Sequence, residues 1–427
     1  MGLQARRLAV LEIPALGYRR GWAGRDRIPL DLEPPRTFPN PTHRDTTAMN
    51  GAPTRSSLQR PTNSPQPRRS SSTLRPLGMV LLVMMRNHLG EADRCPASIA
   101  AGGVLLWVLF FCFCVTLGYP TLNRYDMRKS APDVISYYKM VTQAEPLTSE
   151  DVPFCYRILV PTVARPFYYL AKGRFHTWEP VYFGLLVSTS TFTASATFLL
   201  FLIGLRVLRQ PTLALLCCAL FLLNYVVADL WLDGLVDSSE GFMMLALTWC
   251  LFNKKHWLLL LLGVFGVLAK QSVLPFSVVF AGVWWLAEER SKRSFRTLAA
   301  IGGMAALGSI SLMVDYWWVG GTAQTPWGAA KWWNRYSLWH NFNALATDYR
   351  FWYAFVWIVP LGVCHLRKLP RQWVLAATAT VGLALALAIY TDLGGTVNRP
   401  IFNIIGPLLT LSTTTYLAAK LNRQAQT

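Results

Sequence analysis

The run Ala101-Gly-Gly-Val-Leu-Leu-Trp107-Val-Leu-Phe-Phe-Cys112-Phe-Cys114-Val-Thr-Leu-Gly-Tyr119 contains no charged residue. It nearly reaches the roughly twenty residues that a helix needs to cross the hydrocarbon core of a bilayer. Further apolar runs follow at about 180–205, 212–227, 235–252, 257–269, 273–287, 298–318, 351–366, 373–390 and 401–419. Together they predict an all-α, polytopic integral membrane helix bundle of about ten transmembrane helices. Two of the runs, 257–269 and 273–287, are short and joined by Lys270-Gln271-Ser272, which suits tilted or partly re-entrant segments. The seam over 157–173 is apolar and aromatic, but Pro161, Arg165 and Pro166 interrupt it. It reads as an interfacial helix in the first exterior loop rather than as a span.

Composition supports the same class. Of 427 residues, 53% are hydrophobic and only 15% charged, too apolar a balance for an ordinary soluble domain. A formal charge of +19 could suggest nucleic acid, but the basic residues sit in short loops between apolar runs, as the positive-inside rule describes. The eight cysteines fall mostly inside apolar runs, with no CxxC spacing, so neither a disulfide framework nor a zinc site is indicated. Histidines are scattered without HExxH, and no Gly-rich phosphate loop follows a predicted strand. Cytosolic nucleotide-sugar chemistry and ATP hydrolysis are therefore unsupported, and no cofactor is expected.

The chain reads as two parts. Residues 1–78 are rich in Arg, Pro, Ser and Thr, with no lysine before residue 76 and no apolar run able to order a backbone. They are expected to be a disordered extension. Either the start is over-long, with Met79 the true initiator, which is the favoured reading, or the segment is an Arg-rich, acid-poor targeting extension. Residues 79–427 form the membrane domain.

Arg206 with Arg209, Lys254 with Lys255, the group from Arg290 to Arg296, Arg367 with Lys368 and Arg371, and Lys420 with Arg423 all fall on one face. That face is expected to be cytoplasmic, with both termini. The opposite, exterior face then carries the Asp133 loop, the acidic turn Trp231-Leu-Asp233-Gly-Leu-Val-Asp237-Ser-Ser-Glu240, Lys270, a Trp-rich loop over 325–340, and the stretch before Arg399. Asp315 is placed at the exterior interface too.

Four of these features make a pattern: Asp133 in the first exterior loop, the seam Tyr156-Arg157-Ile-Leu-Val-Pro161 after it, Lys270 in Leu268-Ala-Lys-Gln-Ser, and Arg399 before an apolar run containing proline. The pattern resembles the GT-C superfamily, polytopic glycosyltransferases of the mannosyltransferase-like and aminoarabinose-transferase-like kinds that use polyprenyl-phosphate sugars. The resemblance covers roughly 101–419. It implies transfer of a sugar from a polyprenyl-phosphate donor to a glycan, lipid or protein acceptor on the exterior side, with inversion in a single displacement. The expected setting is membrane lipid, in a bacterial inner (plasma) membrane, with no nucleic acid partner.

Such a donor has a leaving group already activated by its phosphate charge, so the protein must supply a base for the acceptor hydroxyl and cations for the phosphate. Asp133 is the candidate base, Lys270 and Arg399 the candidate phosphate clamps, and Arg157 a further clamp or an interfacial anchor. Against this, Asp133 could simply turn or cap the helix at Val134. Lys270, which would cost about 2.5–3.5 kcal/mol at membrane depth, could snorkel to the boundary. Gln271 stands where the resemblance implies an acidic residue, and Asp133 has no adjacent second carboxylate. Both departures speak against a carboxylate-built metal site, and no obligatory metal is expected.

Asp233, Asp237 and Glu240 would share one face of a helix starting near Asp233, where they could bind the acceptor. The plainer alternative is a solvated turn with Asp237 or Ser238 as the next helix's N-cap. In the Trp-rich loop, Trp333 and Arg335 could stack on and hydrogen-bond a sugar, or belong to an aromatic belt. The competing functions are a secondary transporter or lipid-linked glycan flippase, and a non-catalytic GT-C-like scaffold. No internal repeat or pair of Gly/Pro-broken spans supports the transporter.

Overall fold

A computed structural model of the chain describes residues 96–123, 132–143, 154–174, 178–320, 338–390 and 397–424. The chain divides into two units, Met1–Ser72 and Thr73–Thr427, and the described residues all belong to the second. The expected extension over 1–78, the Trp-rich loop up to residue 337 with Trp333 and Arg335, and residues 391–396 lie outside the described residues.

Among the described residues every regular element is helical. In chain order, α1 (Pro96–Asn123) leads to a short α2 (Pro132–Thr142) and, after a 3-10 turn at Phe154–Tyr156, to α3 (Leu159–Ala171). Next come α4 (Pro180–Leu208), α5 (Pro211–Leu222), a π-helical turn at Val226–Trp231, α6 (Asp237–Phe252), α7 (His256–Ala269), α8 (Val273–Ala287) and α9 (Phe295–Gly320). The chain finishes with α10 (Leu338–Thr347), α11 (Tyr349–Phe355), α12 (Ile358–Val363), α13 (Arg371–Tyr390) and α14 (Asn398–Gln424).

Five helices, α1, α4, α9, α13 and α14, are long and apolar enough to cross a membrane, and α5, α7 and α8 are shorter apolar helices. This is the make-up of a multi-pass membrane protein. Two apolar runs are interrupted. The run over 212–227 ends as a helix at Leu222, where the side chain of buried Asn224 donates to the Ala354 carbonyl at 3.0 Å and accepts from the Val226 N–H at 3.0 Å. The run over 351–366 is split between Phe355 and Ile358, just where Pro360 would press on the carbonyl four residues earlier.

Packing rather than propensity fixes the bundle. The helix α4 lies against α1, α3, α5 and α6, and α14 against α5, α6, α12 and α13. Where the last two groups meet, Phe221 stacks on Phe402 at 5.7 Å between ring centroids, and Trp231 meets Phe221 edge-on at 5.4 Å. At the crossing of α7 and α9 a Cβ on Gly263 would stand 2.4 Å from the Met304 carbonyl oxygen. Only glycine permits that approach, the small-residue contact by which apolar helices pack without help from water.

The basic loops gather at one end of the bundle. Arg206 donates to Asn253 at 2.7 Å, Lys254 pairs with Glu288 at 3.5 Å, and His256 meets Thr297 at 3.0 Å. That end and the Asp237 end are separated by the length of α6, 16 residues or about 24 Å.

A buried ion-pair cluster at the candidate site

The helix α2 starts with Pro132 at its first position, and Asp133 follows in the first turn. Proline is favoured there because that position's N–H has no intrahelical partner, and an acidic first turn suits the helix dipole. At the other end, Arg165 of α3 donates to the Met140 carbonyl through Nε at 3.0 Å and Nη2 at 2.9 Å. α2 is thus fastened to α3 by its carbonyl end. Asp133, at its start, is presented to the bundle.

There it meets the beginning of α14. Arg399 Nη1 lies 3.7 Å from Asp133 Oδ2 and 3.1 Å from Asp237 Oδ2. Asp237 opens α6, and its other oxygen is 2.8 Å from Lys270 Nζ, which also reaches Glu240 Oε2 at 2.7 Å. Lys270 is the residue that ends α7, its backbone already extended, so its side chain can turn back across the top of α6. Ser272 donates to the second Glu240 oxygen at 2.8 Å. Asn403, one turn after Arg399, donates to Glu240 at 2.9 Å and accepts from the Trp231 indole at 3.0 Å.

Arg157 completes the group. Its Nη1 donates to the Tyr137 hydroxyl at 3.2 Å, and its guanidinium lies over the Phe154 ring at 5.1 Å from the centroid. Burial by itself pulls the Arg157 pKa down; Tyr137, Asp237 and Asp133 together hold it above its ordinary value. Burial pushes the Tyr137 phenol well above the usual tyrosine range, against the pull of Arg157.

Of the residues named from the sequence, Asp133, Arg157, Lys270, Arg399 and Asp237 therefore come together, and Trp333 and Arg335 lie outside the described residues. The plainer readings fare differently. Asp133 does occupy a helix's first turn, and it carries an ion pair besides. Lys270 does not reach for water; it is pinned by two carboxylates. The solvated-turn reading of Asp237 and Glu240 is overturned, since both are buried and the position capping α6 is Val236. Asp233 precedes that helix, in the turn.

Formal charges within the cluster balance: three carboxylates, from Asp133, Asp237 and Glu240, face three cations, Lys270, Arg399 and Arg157. Access is unequal. The side chains of Asp133, Lys270 and Arg399 are 13%, 14% and 16% exposed, against 2% for Asp237. Several polar atoms beside the ion pairs are buried and have no hydrogen-bond partner among the described residues: Arg157 Nε, Ser238 Oγ and both amide atoms of Asn398. Buried polar groups are rarely left so, and these offer donors and acceptors to an oxygen-rich ligand.

Comparison with protein-family models, with curated proteins and with solved structures finds no match for this chain.

Sequence reasoning gave Asn403, Trp231 and Tyr137 no role. For Asn403 there was a signal: an amide one turn after Arg399 in an apolar run, where an unpaired polar group is costly. For the Trp231 indole there was none, because its partner arrives from α14. No group of three or more His, Cys, Asp or Glu side chains among the described residues is arranged to hold a metal ion.

Proposed function

We propose that the protein is a membrane glycosyltransferase of the GT-C kind. It moves a sugar from a polyprenyl-phosphate donor to an acceptor hydroxyl on the exterior side of a bacterial inner membrane. The site end of the bundle then faces the exterior and the basic end, with both termini, the cytoplasm. About ten segments cross or enter the bilayer, the shorter ones by tilting or by thinning it locally, and α3 lies in the interface.

The observation that carries this reading is the meeting of Asp133 with Arg399 at 3.7 Å beside buried polar atoms that lack partners among the described residues. Asp133 takes the proton of the acceptor hydroxyl. That oxygen attacks the sugar's anomeric carbon, the bond from this carbon to the phosphate oxygen breaks, and the phosphate leaves with the electron pair, giving inversion. Arg399 and Arg157 hold the phosphate. Lys270 reinforces the positive field while neutralising Asp237 and Glu240. One feature favours a second reading, a transporter or lipid-linked glycan flippase: the polar chain from Asp133 through Arg399, Asp237, Lys270 and Glu240 to Asn403 runs into the bundle, as ion and proton paths do.

The test compares lipid-linked sugars and envelope glycans in a strain lacking the gene with those in the same strain carrying wild-type protein or Asp133→Asn. The amide keeps the shape and loses the base, so the glycan should be missing in both the deletion and the variant, with the donor accumulating on the exterior leaflet. A donor trapped on the cytoplasmic leaflet would favour the flippase. Full glycan with Asp133→Asn would end the catalytic assignment.

A further inference from the structure

Asp315 lies in α9 among residues that face outward: Met313, Val314, Trp317 and Trp318 are all exposed. Asp315 itself is only 4% exposed. Its Oδ2 has no hydrogen-bond partner, and among the described residues no cation pairs with it. A carboxylate so placed in a helix fit to span a membrane is costly, and the ion-pair cluster makes no use of it. Its surroundings are specific. The Tyr316 ring meets the Tyr156 ring edge-on at 4.4 Å, Tyr156 is buried, and Tyr156 is followed directly in the chain by Arg157 of the cluster. The turn Phe154–Tyr156 thus joins two neighbourhoods: a cationic one at Arg157, and one with two aromatic rings and a carboxylate, that of Asp315, unpaired among the described residues.

We propose that Asp315 selects the sugar, its carboxylate accepting hydrogen bonds from ring hydroxyls while the Tyr316 ring, backed edge-on by buried Tyr156, bounds one apolar face of the sugar. A carboxylate with no donor among the described residues and an aromatic wall are what a polyhydroxylated ring with apolar C–H faces requires. A metal ion would need further oxygen or nitrogen ligands, and no such group is found among the described residues. The inference rests on the glycosyl-transfer reading of the neighbouring cluster and adds to it the residue that distinguishes a sugar-bearing lipid phosphate from a bare one.

The experiment uses the full chain in nanodiscs and follows tryptophan fluorescence on titration with polyprenyl phosphate, polyprenyl-phosphate glucose and polyprenyl-phosphate mannose. Wild-type protein should bind at least one sugar-bearing lipid about tenfold or more tighter than the bare phosphate, as one or two charge-assisted hydrogen bonds allow. Asp315→Asn should remove that margin and leave affinity for the bare phosphate unchanged, and Asp315→Glu should restore part of it. A folded Asp315→Asn that keeps the sugar preference would mean a neutral buried acid and overturn the proposal. So would equal loss of all three lipids, which marks a structural role. If wild-type protein binds the bare phosphate and the sugar lipids equally, the proposal fails and the phosphate site stands. If it binds none of them, the glycosyl-transfer reading fails and the proposal with it.

Discussion

Arg399 and Asp237 are 162 positions apart in the sequence and 3.1 Å apart in the fold. Asp237 is almost wholly buried, so its charge is tolerable only because Arg399 and Lys270 stand on either side of it. A buried charge stripped of a partner is far more costly than an exposed one. The cluster is therefore a structural unit as well as a candidate site, and substitutions in it must be read for both effects.

Lys270→Ala removes a cation that pairs with the carboxylates of both Asp237 and Glu240. It should destabilise the protein by about 3–5 kcal/mol, as expected when one partner of a buried pair is lost. Adding Glu240→Gln, which takes away one of the orphaned charges, should recover part of that loss, with a coupling of about 0.5–3 kcal/mol. Unfolding of the wild type, both single variants and the double variant in detergent measures it. Strict additivity would mean that the two side chains are not energetically paired.

Gly241→Ala tests how the floor of the cluster is built. A Cβ at this position would stand 2.1 Å from the Trp231 ring, and Trp231 holds Asn403, which holds Glu240. The added methyl must displace the indole, at about 1–3 kcal/mol for overpacking. A lower thermal midpoint is expected, with partial recovery when Trp231→Leu makes room. An unchanged midpoint would show that the indole can move freely, and then it cannot be what orients Asn403.

How far the sequence could lead is clear from the same residues. The apolar run over 101–119 lies wholly within α1, and Pro180 does open α4, because length, hydropathy and a proline at a helix start are local signals. Asp133, Lys270 and Arg399 were legible as candidates, since each is a charge that an apolar neighbourhood makes expensive. The burial of Asp237 was not legible. An acidic turn looks solvated until its partners, Lys270 and Arg399, are known to arrive from α7 and α14. Likewise the break after Leu222 depends on Asn224 finding the Ala354 carbonyl, a contact between distant segments that no local pattern announces. Asp315 could be placed at a helix end, but only the fold shows that it turns inward, with no partner for its Oδ2 among the described residues.

Topology is the next expectation to test. Gln143 and Lys172 are exposed just past the ends of α2 and α3; Arg209, Lys255 and Arg290 are exposed among the basic loops at the other end. Cysteines introduced at the first pair should react with a membrane-impermeant thiol reagent from one side only, and those at the other three positions from the opposite side. The exposed native Cys112 and Cys364 are replaced first so that they give no background. If positions 143 and 255 label from the same side, the two ends do not lie on opposite faces of a membrane, and the shared exterior site is lost.

The last prediction concerns what holds Asp133 in place. α2 packs through Val134, Tyr137, Met140 and Val141, all buried, and Arg165 grips its carbonyl end through two hydrogen bonds to a single carbonyl, that of Met140. Arg165→Gln gives up a charged, forked donor, and hydrogen bonds to charged groups are worth about 1.5–3 kcal/mol. The cost should fall on the docking of α2 rather than on the bundle, whose helices do not depend on this contact. The thermal midpoint should therefore change little, amide exchange over residues 132–142 should quicken, and Asp133 should be displaced from Arg399, so that any transfer activity falls with the helix. Arg165→Lys should recover only part of this, because an ammonium lacks the planar fork that lets both donors meet one oxygen. If exchange over 132–142 stays as slow as in the wild type, Arg165 is not the fastening, and Asp133 is positioned by the buried side of α2 together with Arg157 and Arg399.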